Sequence, residues 1–179
     1  GVLALLYNRT YNKCGYTLRM SLVKPSEIFD RDVEWAELAR FATDDRPGAT
    51  LGVVSGRRRQ GKTMLLYELA RATGGFYFGA TEATPADSLR RLGEALGSHT
   101  GAPGPLHLPD WSSAVDSLLA LGRERPVTVV LDEFPYLVRA SRDLPSVIQH
   151  ALTPGRAERG ASRTRLLLCG SALSFMGGL

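Results

Sequence analysis

Apolar residues in this chain gather into short dense runs, separated by stretches where they recur every three or four positions. The runs TLGVVS at Thr50–Ser55, VTVVL at 127–131 and RLLLCG at 165–170 are short, rich in branched side chains and without alternation. That pattern predicts strands buried on both faces. FYFGA at 76–80 reads as a further strand. Between these runs the spacing turns helical. In Lys62–Ala72, Leu65, Leu66 and Leu69 share one side, and Gly74-Gly75 stops the helix. Residues 85–96 predict a helix with Thr84 as its cap and Pro85 at its first position. Asp110 is placed to cap a helix running to about Arg123, and residues 144–152 predict another. Upstream, Val33, Leu38 and Phe41 recur near helical spacing over 30–42, with Asp30 as the N-cap and a turn at Asp45-Arg46-Pro47-Gly48. Residues 98–109 read as a Gly/Pro-rich loop and 154–163 as a basic loop. Strands alternating with helices predict a mostly parallel sheet with helices on both faces.

Residues 1–24 have neither clear periodicity nor caps. They read as an N-terminal extension with Met20 near a natural start, and residues 25–179 as one domain. The short apolar stretch at 1–6 lacks a basic leader and a small-residue cleavage site, so it is not read as a signal peptide. No apolar run approaches membrane-spanning length. Cys14 and Cys169 are far apart, and the three histidines show no metal-ligand spacing with them. Isolated thiols and a reducing cytoplasm are the expectation. A formal net charge of +4 raises the question of nucleic acid, but the basic residues are scattered along the chain.

The chemistry begins at residues 56–63, GRRRQGKT, a full match to the P-loop pattern G-x-x-x-x-G-K-[ST] between a strand and a helix. Gly56 and Gly61 let the backbone turn so that N–H groups face phosphate oxygens, and the helix start adds further donors. Lys62 is the only lysine from Pro25 onward, in a chain that otherwise uses arginine. A compact ammonium fits between β- and γ-phosphates where the planar fork of arginine does not. Thr63 offers a hydroxyl to Mg²⁺. The candidate nucleotide-binding set is therefore Gly56, Arg57, Arg58, Arg59, Gln60, Gly61, Lys62, Thr63 and Met64. The three arginines read equally well as a solvated loop tip.

The run at 127–131 ends in Asp132 and Glu133, the Walker B pattern. Asp132 would join Thr63 in the magnesium shell, and Glu133 would polarise the attacking water; Lys62, between the phosphates, counts with it as catalytic. Ser171, after the run at 165–170, is a sensor candidate for the γ-phosphate; the competing reading is a serine that caps the next element. ATP and Mg²⁺ are the cofactors these residues imply.

The blocks GRRRQGKT, LDEFPYL at 131–137 and LCGS at 168–171 together resemble the archaeal-type ATPase family, AAA+-like STAND P-loop ATPases found in archaea and bacteria. The segment 28–38, with Phe29 and Arg31, resembles the family's N-terminal element over the adenine, with Asp30 where the family usually has glycine. The resemblance covers residues 26–179. It implies an α/β P-loop NTPase fold, truncated here before a fifth strand, in which the P-loop strand lies between the strand at 165–170 and an empty edge. It also implies Mg-dependent ATP hydrolysis driving a conformational or regulatory switch, with self-association or a protein partner, and nucleic acid only through further C-terminal domains. The alternative is a nucleotide-binding regulatory module with negligible turnover. A kinase would need converging arginines on a lid, for which the basic stretch at 156–165 is a faint candidate.

Overall fold

A computed structural model describes residues 4–7, 22–56 and 61–170. The predicted strands form at β2 (Thr50–Ser55), β3 (Phe76–Gly79), β4 (Val127–Asp132) and β5 (Thr164–Gly170), preceded by β1 (Ala4–Tyr7). The sheet order is β1-β2-β5-β4-β3. β2, β5, β4 and β3 run parallel, as the alternation of elements requires, and β1 joins antiparallel. The P-loop strand does lie beside the 165–170 strand, but its other edge is not empty. Ala4 pairs with Ser55 and Tyr7 with Gly52, so the N-terminal apolar stretch covers the edge that the sequence leaves open. A bare edge strand exposes a row of unpaired backbone groups, and a short antiparallel strand satisfies them.

Side chains on successive strand residues point to opposite faces, and each face has its own core. Val53, Val129, Leu131, Leu166 and Leu168 join Phe76 and Phe78 on one face. That face is covered by α3 (Pro85–Thr100), α4 (Trp111–Ala120), α5 (Phe134–Ala140) and α6 (Leu144–Ala151). Val54, Val130, Leu167 and Cys169 point the other way, against α1 (Asp32–Ala42) and α2 (Lys62–Ala72). A last short helix, α7 (Ala157–Gly160), lies in the predicted basic loop.

Caps set several boundaries as expected. Thr84 accepts a hydrogen bond from the Asp87 backbone, and Asp110 accepts one from Ser113 at 2.7 Å. Three expectations need correction. α1 begins at Asp32 with Arg31 at its N-cap, and Asp30 instead takes a left-handed φ of 50°. Asp tolerates that region better than most side chains, because its short polar group can bond locally. Val33 is 72% exposed, and Trp35 supplies the buried contact on that turn. α3 runs on to Thr100, where Gly101 in the left-handed conformation closes it.

Candidate functional site

In a parallel sheet the carboxyl ends of the strands share one rim, where the chain turns from strand to helix. Here the register aligns Ser55 with Gly170, Leu131 with Leu168, and Gly79 with Asp132. Gly56 follows Ser55 directly, so the first glycine of the P-loop motif and the Asp132–Glu133 pair stand on the same rim.

α2 begins there with Gly61 as its N-cap at φ 69°, a conformation glycine adopts without strain. Among the described residues no side chain caps this end, and its first turn carries no acidic residue. Lys62 is buried, and its Nζ donates to the Gly56 carbonyl at 2.8 Å, across the base of the motif. Thr63 and Met64 are exposed. A left-handed glycine cap, the positive end of a helix and a buried ammonium fit an anion with closely spaced oxygens. Arg57, Arg58, Arg59 and Gln60 lie outside the described residues, as does Ser171.

Asp132 is 2% exposed, and its carboxylate is held on both oxygens. Oδ1 accepts from the Glu133 backbone N–H at 2.8 Å, and Oδ2 accepts from the Tyr77 hydroxyl at 2.8 Å. The buried Cys169 thiol lies within reach of the charge on this carboxylate. Burial first, then the negative charge of Asp132, pushes the Cys169 thiol well above its usual range, so it stays protonated. The same two causes, in the same order, raise the Tyr77 phenol. Cys169 also feels the charges of Lys62, which lowers its pKa, and of Glu133, which raises it.

Glu133 is held at φ 52° as the N-cap of α5. A non-glycine residue in the left-handed region costs about 1–2 kcal/mol, and such outliers concentrate at functional positions. The turn that strains Glu133 brings its half-buried side chain to the rim just after β4 rather than into the core.

Residues 27–31 lie against the start of α2. Glu27, Ile28, Phe29 and Arg31 on one side, with Gly61, Met64 and Leu65 on the other, bound a cavity of about 290 Å³. Met64 therefore joins Gly61 beside the segment expected over the adenine. For a divalent ion, no group of three or more His, Cys, Asp or Glu gathers among the described residues.

Sequence reasoning missed Tyr77 and Cys169, which reach Asp132 from the two strands flanking β4. The basic loop at 154–163 precedes β5, so it lies at the amino-end rim, away from Lys62. The Arg163 guanidinium there donates to the Glu124 carbonyl, and a lid role has no support from that placement.

Two structures of the Aeropyrum pernix ORC2 protein, its ADP form and its ADPNP–ADP complexes, match this chain with TM-scores of 0.57 and 0.58. Sequence identity is 19% and 22%, and each match covers 86% of this chain. It covers 45% and 44% of the ORC2 chains, so this chain spans less than half their length. No protein-family model and no curated protein matches the chain. No helix among the described residues is long and apolar enough to cross a membrane. At this identity the likeness speaks for the fold alone: the chain has an α/β P-loop NTPase-like fold, similar in architecture to the Aeropyrum pernix ORC2 structures.

Proposed function

We propose that this chain binds Mg-ATP and hydrolyses it to ADP and phosphate, with the nucleotide state setting a conformational or regulatory switch. One observation carries the reading. The register puts Gly56, with the Lys62 ammonium on its carbonyl, on the same rim as the Asp132–Glu133 pair. The ADP and ADPNP held by the ORC2 structures support a nucleotide as the ligand.

In this reading the Lys62 ammonium leaves the neutral Gly56 carbonyl for phosphate oxygens, a stronger charge-assisted partner. The uncapped N–H groups at the start of α2 take the same phosphates. Ile28, Phe29 and Met64 shelter the base in the cavity beside Gly61. Thr63 and Asp132 hold Mg²⁺, which when bound neutralises charge on the phosphates. Glu133 accepts a proton from, and orients, the attacking water. Membership of the archaeal-type STAND branch, a cytoplasmic setting and a protein partner or self-association belong to the same proposal.

Equilibrium binding of Mg-ATP to the parent, Lys62→Ala and Arg58→Ala tests it. Lys62→Ala loses about 1.5–3 kcal/mol of binding free energy, the worth of a charged hydrogen bond, and Arg58→Ala much less. Equal losses at the two positions, or no binding by the parent, overturn the reading.

A further inference from the structure

The Asp132 carboxylate is not free to turn, and the restraint comes from outside its own strand. Its Oδ1 is tied locally to the next backbone N–H, but its Oδ2 takes the Tyr77 hydroxyl from β3. A carboxylate has about four lone-pair sites, so one bond to each oxygen fixes the plane and still leaves sites for a metal shell.

Tyr77 is well placed for this. It pairs in register with Val130, two residues short of Asp132, so its ring must run along the sheet to reach the carboxylate. Gly79, opposite Asp132, leaves that path open. A Cβ at position 79 would already lie 3.5 Å from the Tyr77 hydroxyl, and any longer side chain would compete for the same space. The ring is steadied edge-on by Tyr67, with centroids 5.5 Å apart and planes at 83°. Tyr67 projects from α2, the helix that starts with Lys62 and Thr63. The phenol thus braces the carboxylate of β4 against the helix that carries the motif's lysine.

We propose that Tyr77 is a positioning residue that sets the orientation of Asp132 for Mg²⁺, an inference that rests on the assignment of Asp132 to the magnesium shell. Losing a hydrogen bond that orients a ligating carboxylate typically costs about 10–100-fold in metal affinity. A bond that served only to satisfy a buried carboxylate would change stability, with no selectivity for the metal.

The test uses the full 179-residue chain as parent, Tyr77→Phe, Asp132→Asn and the double variant. ATP binding is titrated across Mg²⁺ concentrations and again in EDTA. Tyr77→Phe removes one hydroxyl and raises the Mg²⁺ midpoint about tenfold, with affinity in EDTA unchanged. In the Asp132→Asn background the same substitution adds nothing, because the oriented group is gone. An unshifted midpoint overturns the inference. So does a loss equal in Mg²⁺ and EDTA, or an effect that adds fully to that of Asp132→Asn. If Asp132→Asn itself keeps the parent's midpoint, the shell assignment falls and this inference falls with it, a result separate from failure of Tyr77→Phe alone.

Discussion

Arg165 is fully buried at the first turn out of the loop into β5, yet it is well satisfied. Its guanidinium donates to the carbonyls of Asp44 and Gly48, each at 2.7 Å, to the Arg46 carbonyl, and to Thr50 Oγ1 at 3.3 Å. Five fixed donors suit a loop whose carbonyls turn inward, and the Asp44 carboxylate, bonded to Arg46, adds a compensating charge nearby. Replacing Arg165 with Met keeps much of the volume but leaves these carbonyls buried without donors. We expect a loss on the order of 3 kcal/mol in urea unfolding, with Mg-ATP affinity kept in the folded fraction. An unfolding free energy equal to the parent's would contradict it. The residue scale also shows what local sequence can carry. Lys62, Asp132 and Glu133 could be proposed from the sequence because the chemistry proposed for them depends on neighbours within the same short motif. Tyr77, Cys169 and Arg165 were not, because each acts on a residue brought to it only by strand pairing. An arginine heading an apolar strand reads as a surface residue until the loop it holds is known.

Among the elements, strands and long helices follow the apolar pattern closely, and β2 and α2 keep the bounds read from it. α5 was hidden because its residues, FPYLVRA, directly follow the Asp132–Glu133 pair and lack a polar cap. Its start is set by the left-handed turn at Glu133, which no sequence spacing announces. β1 was hidden for a different reason. Four residues of extended chain carry no periodicity of their own, and their pairing with β2 satisfies an edge created by the rest of the sheet. That pairing yields a prediction. Deleting residues 1–21 removes β1 and leaves the outer edge of β2 open, and exposed parallel-sheet edges recruit other strands. Light scattering should then show concentration-dependent association of the shortened chain, and less of it in the parent. Identical, concentration-independent masses for both would mean that the edge does not need β1.

For the molecule as a whole, the sheet separates two tasks. Its amino-end rim is closed by the buried Arg165 cluster, which holds the loop between α1 and β2. Its carboxyl-end rim gathers Gly56, Lys62, Asp132 and Glu133, with a strained Glu133 and an uncapped α2. The fold class was legible from alternating strands and helices, since only a parallel sheet covered on both faces buries such runs. Substitutions at the first rim should act on stability, and those at the second on nucleotide chemistry. The central claim is that the second rim hydrolyses ATP through Glu133. The most direct measurement follows ATP affinity and phosphate release together, in Mg²⁺, for the parent and for Glu133→Gln. The variant keeps the size of the side chain and the phosphate-holding groups but loses the carboxylate that takes the water's proton. Affinity should stay within a few-fold while phosphate release falls by about 10²–10⁴. Release at the parent's rate would contradict the role of Glu133, and a parent that binds Mg-ATP without releasing phosphate would make this chain a nucleotide-holding module instead.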